Sequence, residues 1–130
     1  MSESLISRKK ILFVDDEEQL RSIFKLFFSS LEYEYLDASN GEIGVAMAKE
    51  HIPDLIIMDY KMPVMDGVKA IEAIRSQTST SHIPIIMYTG YINDLDFREV
   101  KQFSRVEILK KPIEVHVWMK IIEQYLFPLS

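Results

Sequence analysis

Four polar signals in this chain supply groups that are suited to phosphoryl transfer. Each signal follows a short apolar run, and in chain order they are Asp15 with Asp16, Asp59, Thr89, and Lys111 with Pro112. Together they offer carboxylates for a metal ion, a carboxylate nucleophile, a hydroxyl donor and a cation. Residues just past the ends of parallel strands collect at one edge of a sheet. These distant groups are therefore expected to meet in one pocket.

Apolar runs and helical patterns alternate along the chain and predict the elements that must position these groups. Apolar runs predict five strands, at residues 11–14, 33–38, 55–58, 85–88 and 106–109. Apolar residues at helical spacing predict five helices, at residues 20–31, 42–50, 68–74, 93–103 and 113–127. The segment 39–42 has capping-box spacing before the second helix, and Asp66 is expected to cap the third. Strands separated by helices imply βα units and an α/β domain with a parallel sheet.

Length and composition limit the classes of protein to consider. A chain of 130 residues with 48% hydrophobic residues is expected to form one domain with its own core. The net charge of -5 argues against nucleic acid or an anionic membrane as partner. No apolar run approaches the roughly 20 residues of a membrane span. Because the chain has no cysteine, thiolate catalysis, disulfides and cysteine-ligated zinc are excluded, and a cytoplasmic location is the default expectation.

The order of these signals resembles the receiver domain of two-component response regulators. The resemblance covers about residues 9–126 and rests on four segments, FVDDE at 13–17, PDLIIMDYKMPVMDG at 53–67, PIIMYTG at 84–90 and LKKP at 109–112. It implies a doubly wound five-stranded parallel sheet of the flavodoxin-like (βα)5 type, with strand order 2-1-3-4-5. It also assigns residues 9–130 to the receiver domain and leaves residues 1–8 as a flexible N-terminal extension.

The resemblance implies that Asp59 accepts a phosphoryl group from a histidine kinase or a phosphotransfer protein. A carboxylate is a competent nucleophile for an aspartyl-phosphate, and Mg²⁺ would neutralise the charge that the phosphoryl group brings. Asp16 and Asp59 are expected to bind Mg²⁺ directly, and Asp15 directly or through water. By the family pattern, the backbone carbonyl of Lys61 completes the protein ligands.

The same resemblance assigns the cation and the hydroxyl to the phosphate oxygens. Lys111 would contact one oxygen with its compact positive charge, and Thr89 would donate its hydroxyl to another. The bond between Lys111 and Pro112 is expected to be cis. Gly90 is small, as a close approach of phosphate requires.

Three features bear on how such a domain would signal. Receivers usually carry an aromatic residue at the position of Ile108, so the usual aromatic switch is missing, and Tyr91 is either its substitute or ordinary loop surface. Lys61 would either screen the acidic cluster or be a solvated loop residue. The last helix is apolar over an arc of roughly 200°, wider than one sheet covers. Output is therefore expected through the fourth helix, fifth strand and last helix, to a downstream protein or a second copy, with the chain a monomer or a weak phosphorylation-dependent dimer.

Other functions remain open from the residues alone. The chain could be a phosphorelay intermediate, a receiver excised from a hybrid kinase, or a scaffold that does not depend on phosphorylation. A haloacid-dehalogenase-like phosphatase would carry an acid/base aspartate where Lys61 stands. With only four glycines, no dinucleotide-binding or P-loop motif can be assembled. The expectation is therefore a domain that is not an enzyme beyond transferring phosphoryl to itself and losing it slowly.

Overall fold

Three of the predicted apolar runs become central strands that helices cover on both sides. In a computed structural model, which describes residues 8–128, the strands are β1 (Lys10–Val14), β2 (Glu34–Ala38), β3 (Leu55–Met58), β4 (Ile85–Thr89) and β5 (Val106–Lys110). All neighbouring strands run parallel, in the order β2-β1-β3-β4-β5. This confirms the predicted doubly wound sheet. Most of the extension expected at residues 1–8 lies outside the described residues.

Four helices connect the strands, a fifth follows β5, and together they cover the two faces of the sheet. They are α1 (Glu18–Ser30), α2 (Gly41–His51), α3 (Gly67–Arg75), α4 (Phe97–Lys101) and α5 (Val115–Leu126). Alternate residues of each strand point to opposite faces, which divides the core in two. Leu12 and Val14 pack with α2 and α3, whereas Ile11 and Phe13 pack with α1 and α5. None of the helices in residues 8–128 has the length and apolar content needed to cross a bilayer.

Local capping explains where two helices begin. Asp66 accepts a hydrogen bond from the N–H of Lys69, as predicted for the cap of α3. In the capping-box segment before α2, the capping side chain is that of Asn40, which accepts from the N–H of Ile43 at 2.8 Å. These side chains satisfy N–H groups that have no partner within the first helical turn.

The fourth helix is much shorter than the pattern at 93–103 predicts. A 3₁₀ turn at Ile92–Asp94 is followed by Leu95 in extended conformation, and α4 covers only Phe97–Lys101. Leu95 is buried, and Asp96 then caps the new helix by accepting from the N–H of Arg98. The buried Leu95 and the new N-cap at Asp96 therefore divide the predicted helix into a 3₁₀ turn and a short α-helix.

Candidate functional site

The candidate functional groups lie at the carboxyl edge of the sheet because adjacent strands end at the same level. Val14 of β1 lies beside Met58 of β3, and Thr89 of β4 lies beside Lys110 of β5. The residues at or just past these strand ends are Asp15, Asp59, Thr89 and Lys111. Groups that are as far as 96 residues apart in the chain are thereby brought into contact.

Three carboxylates form the acidic part of the site. Oxygen atoms of Asp15, Asp16 and Asp59 all lie within 4.8 Å of one another. Asp15 and Asp59 are buried, with 1% and 4% exposed, whereas Asp16 is exposed to solvent. Oxygen ligands at this spacing suit a hard divalent cation that keeps part of its water shell on the open side.

The ammonium of Lys111 bridges the two buried carboxylates. Its Nζ donates to Oδ2 of Asp15 at 2.7 Å and to Oδ2 of Asp59 at 3.0 Å, and Oε1 of Glu17 lies 3.8 Å away. Burial opposes the positive charge, but the hydrogen bonds and the attraction of Asp15 and Asp59 outweigh it and raise the pKa of Lys111. The lysine is therefore charged in the folded protein at neutral pH.

Asp15 retains a net cost of ionisation because one ammonium serves two carboxylates. Burial raises the pKa of Asp15, and the negative charge of Asp59 adds to that effect. The hydrogen bond from Lys111 and a second one from the N–H of Glu17, at 2.9 Å, offset it only in part. An additional cation at the site would relieve this cost.

Hydrogen bonds fix the carboxylate of Asp59 on both of its oxygens. Oδ1 accepts from the N–H of Tyr60 at 2.7 Å, while Oδ2 accepts from Lys111. The backbone is held as well, because the N–H of Asp59 donates to the carbonyl of Val14 at 2.9 Å. The carboxylate is thus oriented before any ligand binds.

Thr89 and Lys111 are tied together at the ends of β4 and β5. Thr89 is fully buried, and its Oγ1 accepts from the N–H of Tyr91 at 3.0 Å. The N–H of Lys111 donates to the carbonyl of Thr89 at 2.9 Å, and the bond to Pro112 is cis, as expected. A Cβ at Gly90 would meet no protein atom within 4 Å other than those of its chain neighbours.

The loop after Asp59 is packed tightly against the start of α3. The N–H of Gly67 donates to the carbonyl of Tyr60 at 2.7 Å, and a Cβ at Gly67 would overlap the carbonyl oxygen of Asp59. Only glycine allows this close approach of two backbones. The first turn of α3 therefore packs directly against the backbone of Asp59.

An ion pair that the sequence did not suggest spans the mouth of the site. Nζ of Lys61 lies 2.6 Å from Oδ2 of Asp94 and 4.7 Å from the centre of the Tyr91 ring. The pair joins the loop after β3 to the loop after β4 beside a cleft of about 580 Å³ that Asp16, Asp59 and Lys61 help to line. The alternation pattern of the sequence gave no signal for the Lys61–Asp94 contact, since both residues are exposed and lie 33 positions apart.

Ile108 occupies the place of the aromatic switch residue that the resemblance leads one to expect. It is partly buried and packs against the core beneath α2 and α3. Tyr91 remains 52% exposed at the cleft, covered on one side by Lys61.

Known proteins share this architecture over nearly the whole chain. The sequence profile of the response regulator receiver domain matches residues 11–123. The polar-differentiation response regulator DivK of Brucella anthropi is 29% identical over 118 residues, which are 91% of this chain and 96% of DivK.

Two solved structures extend the likeness to three dimensions. The chemotaxis response regulator CheY4 of Vibrio cholerae superposes with a TM-score of 0.82 at 29% identity, covering 92% of this chain and all of CheY4. The receiver domain of the sensor histidine kinase PA1611 of Pseudomonas aeruginosa, solved with magnesium in its active-site cleft, gives 0.82 at 27% identity, covering 92% and 98%. With a family match over most of its length, this chain belongs to the response regulator receiver domains of two-component signalling.

Proposed function

We propose that this receiver domain signals by accepting a phosphoryl group on the carboxylate of Asp59. The observation that carries the proposal is the position of that carboxylate. It is 4% exposed, hydrogen-bonded to Lys111 at 3.0 Å, and open to a cleft that Asp16 shares. Buried, oriented carboxylates with a cation beside them are suited to nucleophilic attack on phosphorus.

The transfer that we propose breaks one bond and forms one bond. An oxygen of Asp59 attacks the phosphorus of a phosphohistidine on a histidine kinase or phosphotransfer protein. The P–N bond breaks, and its electron pair stays on the imidazole nitrogen of the partner. Lys111 and the hydroxyl of Thr89 then contact oxygens of the new acyl phosphate. Receiver domains are typically signalling domains rather than enzymes, and slow hydrolysis of this acyl phosphate would reset the domain.

Mg²⁺ is the ion that the carboxylate cluster fits best. Asp16 and Asp59 would hold it directly, and Asp15 directly or through water, since their oxygens lie within 4.8 Å of one another. The backbone carbonyl of Lys61, next to the same cleft, would complete the set of protein ligands. The ion supplies positive charge that makes a phosphoryl group tolerable among three carboxylates.

This chemistry also bears on the partners and the location of the domain. We propose output to a downstream protein, or to a second copy in a weak phosphorylation-dependent dimer, through α5 and its neighbours α4 and β5. The helix buries Trp118 and Ile122 but leaves Val115, Val117 and Met119 exposed. A kinase partner that uses ATP places the domain in the cytoplasm. We assign the receiver to residues 9–130.

Labelling with a small phosphodonor tests the phosphoacceptor. Incubation with phosphoramidate and Mg²⁺ should add one phosphate that is labile to hydroxylamine, as measured by intact mass. Asp59→Asn should abolish it. Asp54→Asn is the matched control, because Asp54 is an exposed aspartate whose Oδ2 accepts from the N–H of Lys10 at the opposite edge of the sheet. Equal labelling of Asp59→Asn and wild type would overturn the proposal.

Calorimetric titration tests the metal ligands. Asp16→Asn removes a direct ligand and should weaken Mg²⁺ binding by at least about 10–100-fold, the loss seen when a residue that only supports a ligand is changed. The Asp54→Asn control should bind Mg²⁺ as the wild type does. Asp15→Asn should cost less if its contact runs through water. Wild-type affinity in Asp16→Asn would remove Asp16 from the site.

Hydrogen exchange and sedimentation test the output surface. Beryllofluoride with Mg²⁺ mimics the phosphoryl group and should change exchange in α4, β5 and α5, together with self-association. Changes confined to the loop after Asp59, with no change in association, would remove this surface as the output.

A further inference from the structure

Tyr88 contacts Lys111 from within the core. The residue precedes Thr89 in β4 and is 4% exposed. Nζ of Lys111 lies 5.5 Å from the centre of its ring, on the face. A cation at this distance from an aromatic face is attracted to it, and the attraction grows where water is excluded. Lys111 therefore has a partner besides the carboxylates.

The Tyr88 ring is itself held in place at two further points. Its hydroxyl oxygen accepts from the N–H of Ile113 at 3.0 Å. Its ring packs edge to face on Trp118 of α5, with centres 4.9 Å apart and planes at 90°. One side chain thus joins the lysine, the segment leading into α5, and the buried face of α5.

Phosphorylation changes what the ammonium of Lys111 is attracted to. In the unmodified site, Lys111 bonds to Oδ2 of Asp59. Once that carboxylate becomes an acyl phosphate it loses its own charge, and the ammonium has to move to a phosphate oxygen. The face of the Tyr88 ring attracts the ammonium both before and after phosphorylation, because its partial negative charge does not depend on the state of Asp59. It therefore limits how far the ammonium can move.

We propose that Tyr88 is a positioning residue that holds the ammonium of Lys111 over the phosphoacceptor and transmits its movement to α5. This role rests on the phosphorylation of Asp59 proposed above. The ring performs the positioning, and the hydroxyl bonded to Ile113 performs the transmission. Tyr88 would thereby give the domain a link from site to helix that does not pass through Ile108.

Two substitutions separate the two parts of this role. Tyr88→Leu removes ring and hydroxyl, and should lower the phosphorylation rate at saturating phosphoramidate by about two- to tenfold. The apparent KM for phosphoramidate and the Mg²⁺ affinity should stay near wild type, since Tyr88 contacts neither. Tyr88→Phe keeps the ring and should keep the rate. It should, however, lose the change in hydrogen exchange that beryllofluoride induces at the start of α5.

Phe28→Leu is the matched control for core damage. Phe28 is fully buried in the same aromatic core, next to the rings of Phe24, Phe27 and Tyr35. The Phe28→Leu variant should have a lower free energy of unfolding, because a buried ring is lost. It should still be phosphorylated at the wild-type rate. If Phe28→Leu were phosphorylated as slowly as Tyr88→Leu, the effect of Tyr88→Leu would come from a less stable core. That result would overturn the inference.

Trp118 supplies a spectroscopic signal, because it is the single tryptophan of the chain and packs on Tyr88. Its emission should change when beryllofluoride and Mg²⁺ bind the wild type, and the change should be smaller in Tyr88→Leu.

A double-mutant cycle with Lys111→Met completes the test. If Tyr88 acts through the lysine, Tyr88→Leu should have no further effect on the rate in the Lys111→Met background. Additive effects would overturn the positioning role. A wild-type rate in Tyr88→Leu alone would do the same while leaving the proposed function intact, whereas an unphosphorylated wild type would overturn the proposed function itself.

Discussion

The balance of charge among three side chains decides what this site can do. Two buried carboxylates, Asp15 and Asp59, share the single ammonium of Lys111. The lysine orients both carboxylates by hydrogen bonds, but its one positive charge does not balance the three carboxylates of the site. The excess of negative charge explains why the site favours a divalent cation before it receives a phosphoryl group.

Replacing Lys111 should make stability depend on pH in a defined direction. In Lys111→Met, the two buried carboxylates lose their cation, which raises the folded-state pKa of Asp15 further above its unfolded value. The cost, up to about 3–5 kcal/mol, is present above the raised pKa and shrinks as pH falls and Asp15 takes up a proton. Urea unfolding at several pH values measures it. Lys110→Met, the exposed neighbour, should show no such trend, and a pH-independent loss in Lys111→Met would contradict the charge balance described.

Residue types and their spacing predict which groups meet at the carboxyl edge of the sheet, but they do not predict the contacts around those groups. Asp15, Asp59, Thr89 and Lys111 were predictable because strand ends place them, and the sheet order follows from alternating patterns. The pairing of Lys61 with Asp94 depends on two exposed side chains in separate loops. The contact of Tyr88 with Lys111 depends on which face of the sheet Tyr88 occupies in β4 and on the path of the chain after β5. Neither contact leaves a periodic signal in the chain.

At the scale of elements, the Asp59 loop depends on how closely α3 approaches it. The loop contains Val64 in the left-handed region, with a φ of 70°, a conformation that a β-branched residue rarely adopts. The same is true of Ile52 at the end of α2, with a φ of 45°. Glycine or asparagine would be the expected residue at such positions. Residue propensity alone therefore does not predict these turns. Local backbone hydrogen bonds close them, from the N–H of Met65 to the carbonyl of Pro63 at 2.8 Å and from the N–H of Ile52 to the carbonyl of Ala48 at 2.9 Å.

Gly67→Ala tests whether the approach of α3 supports the phosphoacceptor. The new Cβ would overlap the Asp59 carbonyl oxygen, so the loop must shift. We expect a loss of about 1–3 kcal/mol in the free energy of unfolding, from overpacking, and a slower phosphorylation of Asp59. Thermal and urea unfolding measure the first effect. Gly90→Ala, where a Cβ meets open space, should leave stability nearly unchanged. Equal stability of the two variants would show that the contact has no role in the fold.

At the scale of the whole molecule, two tyrosine hydroxyls connect the helices of one face to the two edge strands. Tyr35 of β2 donates to the carbonyl of Arg21 in α1 at 2.8 Å. Tyr125 of α5 donates to the carboxylate of Glu107 in β5. Burial is the main reason that the pKa of each tyrosine is raised above 10.0, and nearby carboxylates add to the effect. The folded domain therefore binds these protons more tightly than the unfolded chain.

The domain should consequently lose stability in alkaline solution. The stabilisation from the two protonated tyrosines is fully present below a pH of about 10 and is lost as pH rises above it, because the unfolded chain then releases protons that the folded protein retains. Lys111, with its raised pKa, contributes in the same direction. Urea unfolding across this range should show a falling free energy, with a shallower slope in Tyr35→Phe and Tyr125→Phe. An unchanged slope in both variants would show that other groups control the alkaline limit.

Chemical trapping of the acyl phosphate tests the central claim most directly. Borohydride reduces an aspartyl-phosphate to homoserine, so reduction after incubation with phosphoramidate and Mg²⁺ marks the modified position permanently. Peptide mass spectrometry should then find homoserine at position 59 in the wild type, and none when Mg²⁺ is left out. Homoserine at position 15 or 16 instead, or its absence from position 59 in a protein that carries phosphate, would contradict the account.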